Sequence, residues 1–155
     1  MLASNHESDG PREACGVAGV YLPSLSGYEA ASVAFHALFA LQHRGQESAG
    51  IAASDGRNIR NFTNEGLVSN AFRQEDIERL PGHIAIGHTR YSTTGSSSLL
   101  NAQPIVSKSS SIELALAHNG NVINAAAVRE RLEIEHGVQC ATGTDSEVIA
   151  HLLAW

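Results

Sequence analysis

A chain of 155 residues, 43% of them hydrophobic, is the size of one domain with one ordinary core, which excludes a large multidomain enzyme. Ten Lys and Arg against 16 Asp and Glu leave a net charge of −6, which argues against a nucleic-acid partner. No apolar run approaches a membrane span, and Cys15 and Cys140, far apart and only two, make a disulfide framework improbable, so the chain reads as cytoplasmic and reduced.

Residues 1–14 are polar and carry the breaker cluster Asp9-Gly10-Pro11. They lack the apolar centre of a secretory signal and the Arg-rich, acid-poor make-up of a transit peptide. At Cys15 the character changes: CGVAGVYL predicts a strand, closed by Pro23, Ser24, Ser26 and Gly27. Tyr28 to Gln42 has helical length and is apolar on nearly every side, which predicts a mostly buried helix. Ser48–Ser54 and Asn58–Thr63 flank Asp55-Gly56, a strong hairpin signal. His83–Ser92 predicts another strand, and Pro104–Ser107 with Ser111–His118 predict a second hairpin. Ile112, Leu114 and Leu116 alternate with Glu113, Ala115 and Ala117, so both faces of that strand should be covered. Asn124–His136 predicts a helix stopped by Gly137, and a last helical run follows Asp145-Ser146 to Trp155. This run has no stop signal, so the chain reads as cut within an element, and its apolar residues Val148, Ile149, Leu152, Leu153 and Trp155 are expected to lack a cover. A marginal, aggregation-prone piece is the consequence expected from that exposure.

Polar side chains sit beside Gly at the ends of apolar strands in four places: Cys15-Gly16, Gln42 to Gln46, Gly87 to Ser92, and His118 to Asn121. That is the usual construction of a site on a rigid scaffold. A Cys heading a strand is by itself more often an inert core residue. If residues 1–14 were removed, however, Cys15 would carry both a thiol and a free α-amine of pKa roughly 7.7–8.0, nucleophile and base in one residue.

The blocks CGVAG, LQHRGQESAGI, GLVSNAF, IGHTRYSTTGSSSLLNAQP, LAHNGNVINA and TDSEVIAHL run in order through nearly all of 15–152. Together they resemble the glutamine phosphoribosylpyrophosphate amidotransferases, which open de novo purine synthesis. The resemblance implies an α+β fold, the four-layer αββα sandwich of N-terminal-nucleophile hydrolases, here incomplete at its C-terminus. It implies a leader or propeptide at 1–14 and a partial class II glutamine amidotransferase domain at 15–155. Carried over by motif, Cys15 is the nucleophile that forms a γ-glutamyl thioester, and Asn119 with the Gly120 N–H is the oxyanion hole. Arg90 clamps the α-carboxylate of glutamine and Asp145 accepts its α-ammonium, while Arg44 and Gly45 line the site near Cys15.

Each assignment has a plainer counterpart: a type I′ turn for Asn119-Gly120, a surface ion pair for Arg90, a helix N-cap for Asp145. No metal site is expected here, because His136 and Cys140 in H-x₃-C spacing are two ligands where zinc wants three or four. In the full-length family the resemblance implies Mg²⁺, a four-iron cluster, phosphoribosylpyrophosphate as second substrate and a homo-oligomer. Two Cys cannot hold such a cluster. The alternatives are another class II amidotransferase such as glucosamine-6-phosphate synthase, whose first block usually reads closer to YRGYDSAG, and a non-catalytic truncated fragment.

Overall fold

The computed structural model describes residues 15–23, 29–91 and 99–155. Residues 1–14, the breaker residues Ser24, Ser26 and Gly27, Tyr28, and Ser92 with the Ser96–Ser98 loop lie outside the described residues. Strands β1 (Gly16–Tyr21), β2 (Ser48–Ser54), β3 (Ile59–Glu65) and β4 (Ile84–Arg90) form an antiparallel sheet in the order β1-β4-β2-β3. β5 (Ile105–Lys108) and β6 (Glu113–Leu116) form a separate antiparallel pair.

Strand periodicity divides the four-stranded sheet into two functional faces. Ala49, Ile51 and Ala53 of β2 and Ala85 of β4 join the core with Ala30, Ala31, Ala34 and Leu38 of helix α1 (Ala30–Leu41). The helix sits close because β4 offers it Gly87: a Cβ there would lie 2.7 Å from Leu38 Cδ1. On the opposite face Ala52, Ile84 and Ile86 look across a small cavity of about 110 Å³ at Ala115 of β6. Beyond β5 and β6 lies α5 (Asp145–Ala154), and against α5 lies α4 (Ala125–His136). The order of layers is therefore helix, sheet, sheet, helix.

The expected elements form, with three differences. Helix α1 buries a single stripe; Val33, His36, Phe39 and Ala40 on its other side are exposed. Its sequence is apolar all round, so composition carries no sign of which side is covered. Two short helices, α2 (Val68–Ala71) and α3 (Gln74–Glu78), occupy a stretch too short to show a helical period. Finally, part of the apolar run of α5 expected to be bare is covered: Val148 is buried and Ile149 half-buried, while Leu152, Leu153 and Trp155 are exposed. Gly137 closes α4 as expected, at φ 66° with Val138 N–H bonded to Leu132 O. The β2–β3 turn spans four residues, fixed by Asp55 Oδ1, which accepts from the N–H groups of Arg57 and Asn58 at 2.8 Å each.

Candidate active site

The register of β1 on β4, with Gly16 opposite Thr89, places Cys15 at the same end of the sheet as Arg90 and Tyr91. Tyr91 N–H donates to Cys15 Sγ at 3.4 Å, and Sγ lies 3.6 Å from Tyr91 O, so the β4 backbone holds the sulfur. Thr89, fully buried, accepts the Gly16 N–H on Oγ1 at 3.1 Å and locks the residue after Cys15. A cleft of about 620 Å³ opens here, and Cys15, Arg90, Asn119, Gly120 and Asp145 all line it. Far apart in the chain, these residues are gathered by two sheet ends and the start of α5.

Asn119 Nδ2 donates to Cys15 O at 2.7 Å. A side-chain amide has two hydrogens, so the second remains for an oxygen above Cys15. Among the described residues no non-Gly residue has positive φ, and Gly120 does not either, which removes the type I′ turn as the reason for this pair. A Cβ at Gly120 would lie 2.6 Å from His118 Nε2, so a side chain there would have to displace that ring. His118 in turn is anchored by its own N–H, given to Gln103 Oε1 at 2.7 Å.

Arg90 is mostly buried and its Nε lies 3.9 Å from Glu47 Oε1, which disposes of an exposed ion pair. Its Nη1 is buried with no hydrogen-bond partner among the described residues. A buried guanidinium donor left unmatched beside a cleft suits an incoming carboxylate. Across the cleft, Asp145 Oδ2 accepts from Val122 N–H at 2.7 Å, and Oδ1 lies 3.9 Å from His118 Nδ1. Asp145 is not the N-cap of α5. Thr144 is, its Oγ1 accepting from Glu147 N–H at 3.3 Å, so the Asp145 carboxylate sits in the first turn and faces the cleft.

Arg44 and Gly45 do not line the cleft. They belong to a 3₁₀ turn (Gln42–Arg44) and its cap, packed so close to β4 that a Cβ at Gly45 would lie 2.7–2.9 Å from the backbone of Thr89 and Arg90. Cys140 also lies elsewhere, and burial pushes its thiol up from the ordinary cysteine range, with Glu147 and Glu133 acting the same way against Arg129. His136 does not pair with it; the His136 ring stacks on Trp155 at a centroid distance of 4.4 Å.

Four further residues shape the site region: His88, Gln103 and Glu47 sit inside the blocks IGHTRYSTTGSSSLLNAQP and LQHRGQESAGI without a role assigned to them from the sequence, and Arg129 lies outside every block. His88 lines the cleft, almost wholly buried, and burial followed by the Arg90 charge lowers its pKa to about 4, although the His118 backbone favours the charged form. Gln103 and Glu47 position His118 and Arg90 respectively. Arg129 braces the loop before α5, donating from Nη1 to Thr142 O and from Nη2 to Thr144 O at 2.9 Å each. Polar groups flanking apolar strands are the available signal, as in Ala102-Gln103-Pro104-Ile105.

A family model described as a glutamine amidotransferase domain matches residues 75–155. The amidophosphoribosyltransferase of Methanocaldococcus jannaschii is 50% identical over 142 residues, 90% of this chain and 29% of that protein. The Synechocystis protein of the same name is 47% identical over 97% of this chain and 30% of its own length. Among solved structures, a glutamine phosphoribosylpyrophosphate amidotransferase from B. subtilis, complexed with ADP and GMP, superposes with TM-score 0.76 at 38% identity. It covers 88% of this chain and 28% of that one. The chain thus spans under a third of the length of these relatives.

Proposed function

Since the chain belongs to the glutamine amidotransferase domain family, we propose that its cleft hydrolyses the side-chain amide of glutamine at Cys15. The observation that carries this reading is the meeting of Cys15, Arg90, Asn119, Gly120 and Asp145 around one cleft. Arg90 Nη1 and Asp145 Oδ1 offer a cation and an anion for the α-carboxylate and α-ammonium of an amino acid, which fixes the carboxamide toward Cys15. The Cys15 thiol transfers its proton to its own α-amine, freed by cleavage between Ala14 and Cys15, and attacks the amide carbon. The tetrahedral oxyanion takes hydrogen bonds from Asn119 Nδ2 and Gly120 N–H, each such donor being worth about 2.7–4 kcal/mol in the transition state. On collapse the Cys15 α-ammonium returns its proton to the departing nitrogen, which leaves as ammonia, and the remaining γ-glutamyl thioester is cleaved by water to glutamate and the free thiol.

Arg44 and Gly45 support the β4 backbone that carries Arg90. In the longer proteins, ammonia made here serves the amination of phosphoribosylpyrophosphate, the compound for which the B. subtilis enzyme is named. That name and those of the curated relatives support the purine role over the glucosamine-6-phosphate one. The resemblance likewise supports a cytoplasmic, self-associating enzyme, and no helix among the described residues is long and apolar enough to cross a membrane. The four-iron cluster implied by that resemblance does not fit these residues, since it needs four thiolates and of the two Cys one belongs to the cleft; the resemblance assigns Mg²⁺ to the remainder of the longer proteins. No step here passes through either group.

The test is glutamate release by the processed chain. Cys15→Ser should abolish it and Cys140→Ser should not; loss of activity in Cys140→Ser with retention in Cys15→Ser would reverse the assignment.

A further inference from the structure

The loop between α4 and α5 brings a thiol, a carboxylate and an imidazole together outside the cleft. Donor atoms of Cys140, Glu147 and His151 all lie within 4.8 Å of one another. Helical spacing puts Glu147 and His151 on one face of α5, because residues four apart stand one above the other. Cys140 reaches them from the loop, whose next two N–H groups, of Ala141 and Thr142, both bind the Glu147 carboxylate at 2.8 Å.

The lone pairs left over are what matter. Glu147 Oε2 accepts from Thr142 N–H and from Thr142 Oγ1, both at 2.8 Å, and is filled. Oε1 accepts only from Ala141 N–H and turns its remaining lone pair to His151 Nε2, 3.8 Å away. On the far side of that ring Nδ1 lies 3.1 Å from Ser107 Oγ. In the tautomer whose Nδ1–H donates to Ser107 Oγ, the Nε2 lone pair faces Glu147 Oε1. This is the arrangement by which a hydrogen bond on the remote nitrogen orients a metal-binding imidazole.

We propose that Cys140, Glu147 and His151 form a binding site for a divalent transition-metal ion, Zn²⁺ above all. Thiolate, imidazole and carboxylate are zinc's ordinary ligands. Bond lengths of about 2.0–2.3 Å in tetrahedral geometry set donor atoms about 3.3–3.6 Å apart, so the Nε2–Oε1 gap closes by about half an ångström on binding. The Cys140 proton leaves to solvent as the ion binds. A fourth position stays open to water or to Glu133, which lines with Cys140 a recess of about 530 Å³ on the outer surface. The ion clamps the loop 140–144 to α5, and this loop carries Thr144 and leads into Asp145. Its role is therefore structural, at the back of the cleft wall.

Cobalt(II) provides the probe. The full chain carrying Cys15→Ala, stripped with a chelator, keeps Cys140 as its only thiol. It should take up one Co²⁺ per chain with a thiolate-to-cobalt charge-transfer band, and one equivalent of Zn²⁺ should remove that band. Adding Cys140→Ser should abolish the band, and His151→Gln should weaken binding at least about tenfold, in proteins whose melting confirms that they fold. A second measurement needs no variant: Zn²⁺ should protect Cys140 of the wild-type chain from alkylation, read by peptide mapping that separates it from Cys15. Binding without a charge-transfer band, or Cys140 alkylation at the same rate with and without Zn²⁺, would overturn the site.

Discussion

Gly45 is placed to test how the turn packed on β4 supports the substrate clamp. Its φ of −152° and ψ of 123° are extended values that alanine adopts freely, so a Gly45→Ala substitution carries no backbone penalty of its own. The conflict is one of space. The new Cβ would lie 2.7 Å from Thr89 C, 2.8 Å from Thr89 O and 2.9 Å from Arg90 C, all backbone atoms of a strand hydrogen-bonded on both sides. None of these can swing aside as a side-chain tip would. Overpacking of this kind costs about 1–3 kcal/mol. A loss of about 2 kcal/mol lowers the melting temperature of a chain this size by about 4–8 °C. Relief by shifting β4 would move Arg90, whose carbonyl takes the Glu47 N–H at 3.1 Å and whose Nε faces Glu47 Oε1. The KM for glutamine should therefore rise more than kcat falls. Gly19→Ala is the control, since nothing lies within 4 Å of its Cβ and its melting should change by no more than about 1–2 °C. If Gly45→Ala melts with the wild type and keeps its KM, the turn does not support the clamp as described.

Three further outcomes are expected. Because His88 is buried with a pKa near 4, against 6.5 ordinarily, the unfolded chain binds a proton between those values that the folded chain refuses; stability should be full above about pH 6.5 and fall by about 3 kcal/mol toward pH 4. Urea unfolding at pH 7 and pH 4.5 measures this, and an acid loss as large in His88→Gln as in the wild type would assign it to other groups. Arg90→Lys and Asp145→Asn should each lower kcat/KM for glutamine at least tenfold without comparable loss of stability, since a point charge cannot replace a planar two-donor grip; unchanged kinetics in both would make these residues structural. The intact mass of active protein should lack residues 1–14, and turnover by a chain that still carries Met1 would contradict the α-amine as base.

What could be read from the sequence followed the strength of local signals. β1 and β4 are β-rich runs bounded by Gly, Pro and Ser, β2 is mostly Ala, Gly and Ser and is marked only by the Asp55-Gly56 hairpin signal beside it, and Gly137 ends α4 because a left-handed residue is needed there. The cleft residues were found where polar groups interrupt such runs, at Cys15, Arg90 and Asn119. Other features depend on contacts distant in sequence. The exposed side of α1 is apolar, so only the packed structure separates it from the buried side. Thr144 and Asp145 are both good N-caps, and which one caps depends on Val122, whose N–H draws the Asp145 carboxylate away. Gly45 is buried against the backbone of the cleft residue Arg90, yet neither it nor Arg44 lines the cleft. Cys140, Glu147 and His151 show no metal-ligand spacing, because a loop and one turn of helix, rather than a fixed spacing of four ligands, bring them together.

The central claim is that Cys15 attacks the carboxamide carbon of glutamine. Its most direct measurement is peptide mapping of the processed protein after inactivation by a glutamine analogue carrying an electrophilic carbon in place of the amide. One adduct per chain is expected, on Cys15, formed at a rate that excess glutamine suppresses and that Arg90→Lys slows. An adduct on Cys140, or continued glutamate release from protein fully labelled at Cys15, would contradict it.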